Sequence, residues 1–401
     1  MAVGAAVVGL LALVVVAVSL APPGTPTGLA SSPAASGGTF GGGASGLSST
    51  PPTGGQSTGS SPGSSGLPGS SGSTAPAGSL SPAGSPPPAS AEPTTTPMPQ
   101  SGPFPGGLLI ADRGNNRLLI VNSKGRVLWR FPAAGSLPHG QTFSADDAFV
   151  SPDGKTISAN EEQLQIVVRI DIASRKIIWE YGHYGVPGSV AGYLNTPDDA
   201  YPLANGNVVI ADIFNCRVIE VSPAKKIVRQ WGHTGVCRDR PPFDYNQPNG
   251  DTPLPDGGML ITEIRGSRVV RLDAAGKVIF DIHVPTVYPS DAQLDPAGNV
   301  VVADYSSPGA VVAVTPQGRL LWRYGPKSGP GRLDHPSLAV PRPDGTVVLN
   351  DDFRDRVILI DPKRGTILWQ YGTTDVPGTG PNHLYIPDGI NQLPAGLVPG
   401  L

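Results

Sequence analysis

The sequence predicts an all-β domain, a closed ring of six four-stranded sheets over residues 106–401. A membrane-spanning segment (1–21) and a disordered linker (22–105) precede it. Three observations carry this reading. A turn followed by an apolar run and an aromatic residue recurs six times; glycine-bearing hairpin turns punctuate each unit; and the strand missing from the first unit stands at the C-terminus. A period of roughly 40–50 residues built from short strands is the signature of β-propeller blades, none of which can bury its faces alone.

The apolar segment comes first. Residues Ala2 to Leu20 are nearly all Leu, Val and Ala, with Gly4, Gly9 and Ser19 among them. Nineteen residues at about 1.5 Å rise span roughly the 30 Å hydrocarbon core of a bilayer. No basic residue precedes the run, and Pro22-Pro23 stand where small residues would mark a cleavage site. The segment therefore reads as an uncleaved single-pass anchor in preference to a removed signal peptide. The expected topology places the N-terminus inside and the propeller on the extracytoplasmic side of the cell membrane.

Up to Pro105 the chain is then almost wholly Gly, Ser, Pro, Thr and Ala. Such a segment has too little apolar side-chain area to offset its ordering entropy, so a flexible stalk is expected, with an end-to-end distance of about 50 Å. No Lys or Arg occurs before Arg113, and Glu92 is the only charge before Asp112. The remainder holds all 28 basic residues and 30 of the 31 acidic ones. A near-neutral domain gives no footing for nucleic acid, and a monomer is expected.

Within each unit, strand a follows a Pro-Asp or Asp-Asp pair, as in Pro197-Asp-Asp-Ala-Tyr-Pro-Leu. A hairpin turn comes next (Asp153-Gly154, Asn205-Gly206, Asp256-Gly257, Ala297-Gly298 or Asp344-Gly345), its glycine supplying a positive φ. Strand b is a buried run such as Val208-Val-Ile-Ala-Asp212, and strand c one such as Arg217-Val-Ile-Glu-Val. Strand d carries the aromatic. The motif predicts that Trp129, Trp179, Trp231, Phe280, Trp322 and Trp369 hold equivalent outer-strand positions packed between blades.

The first unit opens directly at its strand b, Gly106-Gly-Leu-Leu-Ile-Ala-Asp112. Pro387-Asp-Gly-Ile-Asn-Gln has the strand-a pattern with only a short tail after it. Val186-Pro-Gly precedes Pro197-Asp by the same interval as Val376-Pro-Gly precedes Pro387-Asp. The C-terminal strand should therefore complete blade one and remove the exposed sheet edges.

The strand-b ends resemble known repeats. Ala111-Asp-Arg-Gly-Asn-Asn-Arg117, Ala211-Asp-Ile-Phe-Asn-Cys-Arg217 and Asn350-Asp-Asp-Phe-Arg-Asp-Arg356 are similar to the A-D-x-x-N-x-R core of NHL repeats. The Gly-Lys-Val-x-Trp endings are similar to those of PQQ-like propellers and of bacterial arylsulfotransferases. The resemblance runs from Gly106 to the C-terminus and implies the fold; these families include both binding modules and enzymes. Blades two and five depart from it, with Asn160 and Gln165, then Asp304 and Gly309, in place of the Asp…Arg pair.

Strands alternate in direction, so b–c turns and d–a connections share one face. That face should gather the b ends Asp112, Asn160, Asp212, Glu263, Asp304 and Asp351. It should also gather the strand-a starts Asp146, Asp147, Asp198, Asp199, Asp251, Asp291 and Asp388, and all six histidines. The Asp…Arg spacing of Asp112/Arg117, Asp212/Arg217, Glu263/Arg268 and Asp351/Arg356 points to turn capping and pairing.

The innermost strands line a central channel, so Asp147, Asp199, Asp251 and Asp291 are the candidate ligand-binding acids. Converging carboxylates repel unless a cation neutralises them, and Asp199, Asp251 and Asp291 are the candidate ligands for calcium. The alternative is that some of these acids accept backbone amides instead. His183 and His233, in equivalent aromatic-Gly-His contexts, and Arg265 complete the candidate ligand face; the remaining histidines (His139, His283, His335, His383) lie in other registers, which disfavours zinc. Cys216 and Cys237 belong to one blade and one face, and in an exported chain they are expected to form a disulfide.

Two functions follow as expectations. The first is a tethered binding module that holds an unidentified small ligand, glycan or partner protein on this face. The second is an enzyme at the channel mouth, either a metal-dependent hydrolase or lyase or, by the resemblance, a sulfuryl transferase with a histidine nucleophile. A PQQ-dependent dehydrogenase is more remote, because no quinone-clamping motif is present.

Overall fold

A computed structural model describes residues 102–400, and the expected anchor and most of the linker lie outside them. Among the described residues no helix is long and apolar enough to cross a membrane. The domain is all-β, with six four-stranded antiparallel sheets arranged as the six blades of a propeller.

Ring closure follows the expected route. Pro387–Gln392 pairs antiparallel with Leu108–Asp112, placing Ile110 opposite Ile390 and Leu109 opposite Asn391. Blade one is thereby built from both ends of the domain. Leu393 and Val398 continue past the strand into the cluster shared by blades one and two, beside Leu109, Trp129 and Ile157.

Strands b and c form the core because their apolar runs leave no exposed position. Val208–Asp212, Val300–Asp304 and Val347–Asp351 are buried throughout, as are their partners Arg217–Val221, Ala310–Val314 and all but the last residue of Arg356–Asp361. A run that is apolar on both faces suits a sheet packed on both sides. The clusters accordingly bridge adjacent blades: Leu349 and Ile358 of blade six meet Val301 and Val311 of blade five.

The aromatic repeat holds with one correction. Trp129, Trp179, Phe280, Trp322 and Trp369 pair with Ile120, Arg169, Arg271, Ala313 and Leu359, each just before a bulge in strand c. Trp231 does not join them. It pairs with Val218, the register held by Phe131, Tyr181, Ile282, Tyr324 and Tyr371 in the other blades. In blade three the tryptophan position is filled by Arg229, whose guanidinium lies 4.5 Å from the centroid of the Trp231 ring.

Candidate functional site

The channel mouth is assembled by one device repeated in every blade. The acid at the end of strand b accepts the backbone N–H of the incoming d–a connection. Asp112 accepts from Tyr385 (2.8 Å), Glu161 from Ser144 (2.9 Å), Asp212 from Asn195 (2.7 Å) and Glu263 from Asn246 (2.9 Å). Asp304 accepts from Val287 (2.8 Å) and Asp351 from Asp334 (2.7 Å). These bonds fix where each strand a begins, which is at the rim of the channel.

In blade two the acid is Glu161, not Asn160. Glu161 pairs with Ile166 as Asp112 pairs with Arg117, so Asn160 lies one residue earlier. Asn160 instead accepts the N–H of Asp147 (3.0 Å) and donates to the carbonyl of Pro197 (3.2 Å), tying two neighbouring strand-a starts together.

Three of the four expected Asp…Arg pairs form, with Arg117–Asp112 at 2.5 Å and Arg217–Asp212 and Arg356–Asp351 at 2.8 Å. In blade four Arg268 turns to Asp281 instead. Burial, with no cation bonded to them, then pushes the Glu263 and Glu161 carboxyls up to about 7.

Behind the rim stand two tiers of acids. Positions just before or within the first residues of five strands a give Asp146, Asp198, Ser290, Ser337 and Asp388. With Asp147, Arg113, Glu162, Tyr288 and Tyr305 they line a pocket of about 70 Å³ at the channel mouth. Arg113 bonds Asp146 and Asp388 through Nη1 and reaches Glu162 from Nη2 at 2.9 Å. Five carboxyls thus face one guanidinium. At Asp388 burial acts to raise the carboxyl, but the Arg113 charge and the hydrogen bonds from Asp146, Arg113 and Asp352 together hold it below its usual range. Burial lifts Asp146, Asp147 and Asp198 well above theirs, and neighbouring carboxylates add to the rise.

The second tier lies deeper along the same strands. Asp199 (φ 43°) and Asp291 (φ 23°) sit in left-handed backbone at register shifts in their strands. The bulge breaks the alternation of strand side chains, so consecutive acids Asp198 and Asp199 are both drawn into the channel cluster. Asp291 accepts from Tyr201 Oη (2.9 Å), Thr252 Oγ1 (2.8 Å) and Gln293 Nε2 (3.1 Å), while burial pushes it up to about 6. Asp199 accepts the N–H of Asp251 at 3.3 Å. Asp147 Oδ1, Asp199 Oδ1 and both carboxyl oxygens of Asp251 are buried with no hydrogen-bond partner. Gly389 preserves the space, because a Cβ there would come within 2.5 Å of Asp147 Oδ1.

The structure therefore gathers Asp147, Asp199, Asp251 and Asp291 in and below the mouth. The three acids whose oxygens all lie within 4.8 Å of one another are Asp146, Asp147 and Asp198. His183 and His233 stand away from the mouth. His183 stacks on Tyr193 at 3.8 Å, and exposed His233 bonds Asp244 at 2.7 Å. Arg265 donates to Gln247 (3.0 Å) and does not line the pocket either. His335 lies edge-on to Tyr305, a residue of the pocket wall, at 4.9 Å.

Cys216 and Cys237 are bridged, with their Cα atoms 5.2 Å apart. Sequence reasoning places Arg113, with Arg265 and Arg354, among the cations near this face, and of the three Arg113 lines the pocket; it did not single out Glu162, Tyr288 or Tyr305. No repeat signal marks the position of Arg113, which holds Ile213 in blade three and Asp352 in blade six.

Residues 229–383 match a PQQ-like repeat family described as outer membrane protein assembly factor BamB. No curated protein matches the sequence. Among solved structures, a protein of unknown function from Bacteroides caccae shares 17% identity over 71% of this chain and 98% of its own, with a TM-score of 0.50. A nidogen–laminin complex shares 13% over 71% of this chain and 97% of that one (TM-score 0.49). The virginiamycin B lyase of Staphylococcus aureus shares 18% over 58% and 71% (TM-score 0.42). These likenesses concern the fold alone. The domain is a β-propeller, and its residues 229–383 are similar to PQQ-like repeats.

Proposed function

We propose that this chain is a membrane-tethered binding module whose channel mouth takes a cationic group on the extracytoplasmic side. One observation carries the reading: five carboxyls and a single guanidinium line one small pocket, and Asp147 Oδ1 within it has no partner. A site of that charge binds a compensating cation or holds protons. About 70 Å³ at an open mouth suits an ion with part of its hydration shell, or the tip of a lysine or arginine side chain. The placement draws support from the apolar segment Ala2 to Leu20, the long polar linker, and the Cys216–Cys237 bridge, which suits an oxidising compartment. The matched family is described as an assembly factor, which accords with a role carried by binding. Sulfuryl transfer would need a histidine at the reacting centre, and the pocket lining contains none.

The test is a panel of probes against the full chain in detergent: calcium, magnesium, guanidinium, and a lysine-bearing peptide with its acetyl-lysine counterpart. At least one cation should raise the melting temperature, since a ligand of the native state stabilises it by mass action. The response should weaken in the Asp146→Asn/Asp388→Asn double variant. Identical melting curves with every probe would refute the reading.

A further inference from the structure

We propose that Asp146, Asp147 and Asp198 form a divalent-cation site, with calcium the best-fitting ion, at the junction of blades two and three. The inference rests on the reading of the mouth as a cation-binding face and names the cation. Four observations support it.

The three carboxylates each present an oxygen, all within 4.8 Å of one another. Calcium bonds oxygen at about 2.3–2.6 Å, so ligands on opposite sides of the ion stand about 4.6–5.2 Å apart. Magnesium keeps most of its water and is held by one or two carboxylates, so three converging carboxylates favour calcium.

Arg113 divides the cluster. It bonds Asp388, Glu162 and Oδ1 of Asp146, while neither Asp147 nor Asp198 has a cationic partner among the described residues. The carboxyls without a cationic partner therefore lie on the side away from the guanidinium.

Asp147 is only 7% exposed, and its Oδ1 has no hydrogen-bond partner. A buried carboxylate oxygen left unpaired is costly, and a bound cation removes that cost. This atom separates the cluster from an ordinary solvated acidic patch.

The backbone is also preset. Asp147 is held by the bond from its N–H to Asn160 Oδ1 (3.0 Å), and Asn160 in turn anchors Pro197, the residue before Asp198. One side chain thus fixes ligands from both blades. The adjoining pocket leaves room for the water molecules that complete a calcium shell, and Tyr288 and Tyr305 stand on its wall.

The experiment uses the full chain, stripped with chelator and dialysed to equilibrium against calcium alone. One calcium should bind per chain and raise the melting temperature. Asp147→Asn and Asp198→Asn should each reduce affinity by at least tenfold. Without calcium these variants should melt no lower than the stripped wild type, because each removes a repelling charge. Asp291→Asn, in the deeper tier, should still bind one calcium.

Should a variant fail to fold, terbium on the unmodified chain serves instead. Its emission should be sensitised by the nearby tyrosines and quenched on adding calcium. The proposal is overturned if the wild type takes up no stoichiometric calcium and no displaceable terbium, or if Asp291→Asn abolishes binding while Asp198→Asn does not. Binding of the lysine-bearing peptide without any metal would overturn this proposal and leave the broader reading standing; no response to any cation would remove both.

Discussion

The indole Nε1 of Trp369 in blade six donates to the carbonyl of Ser123 in blade one at 2.9 Å. The same bond joins Trp129 to Ile172 (2.9 Å) and Trp179 to Pro223 (3.1 Å), each from an outer strand to the c–d turn of the next blade. Arg229, which replaces the tryptophan in blade three, reaches Ala274 in the equivalent turn at 3.4 Å. At Trp129, Trp179 and Trp369 the repeated residue is therefore a staple between blades as well as an apolar filler, and Trp369–Ser123 is the staple that joins blade six to blade one.

Replacing Trp369 with Phe keeps most of the ring, including its edge contact with Phe104 at 4.8 Å, and removes the donor. One lost hydrogen bond leaves the Ser123 carbonyl unpaired and should lower stability by about 1 kcal/mol. Trp369→Ala also loses the packing and should lower it by about 3 kcal/mol. Urea unfolding with an unchanged m-value measures both. Equal stability of wild type and Trp369→Phe would show that the bond contributes nothing to closure.

The Cys216–Cys237 bridge spans a separation of 21 residues and ties a b–c turn to the d–a connection of blade three. In the chain-entropy account such a loop contributes about 3 kcal/mol. Unreduced protein should resist alkylation at both cysteines, as read by mass, and reduction should lower the melting temperature by several degrees. Labelling of both thiols in unreduced protein would disprove the bridge.

Much of this architecture was legible because propeller blades are built locally. Asn205-Gly206 and its counterparts mark hairpin turns, and Val208-Val-Ile-Ala-Asp212 marks a strand buried on both faces. Closure by Pro387–Gln392 was legible from the strand missing in the first unit, the strand-a pattern at Pro387 and the Val-Pro-Gly interval before it. The register of Trp231 was not. An aromatic two residues downstream satisfies the same pattern by eye, and only strand pairing reveals Arg229 in its place.

The site was legible by residue type but not by geometry. Alternation along a strand suggests that one of Asp198 and Asp199 leaves the channel, whereas the bulge at Asp199 keeps both. Arg113 joins Asp146, Glu162 and Asp388 across 33, 49 and 275 residues of chain, and nothing local in the sequence announces that.

The last prediction concerns Glu263, which is fully buried, accepts one backbone N–H, and lost its expected partner when Arg268 turned to Asp281. Burial raises its carboxyl to about 7 from an ordinary value of 4.5. The sign follows from proton binding. Between those two values the folded protein holds a proton that the unfolded chain has released, so raising the pH favours unfolding. The penalty is absent below about pH 4.5, grows up to about pH 7, and is constant above. A shift of this size corresponds to about 3 kcal/mol.

Glu263→Gln keeps an acceptor for the Asn246 amide and cannot ionise. It should unfold at higher urea than wild type at pH 8 and at nearly the same urea at pH 4.5. Glu161, which faces Ile166 where four other blades have arginine, should behave in the same way. A Glu263→Gln variant that is less stable than wild type at pH 8 would show that this carboxylate is paired in the native state, and that Arg268 serves it after all.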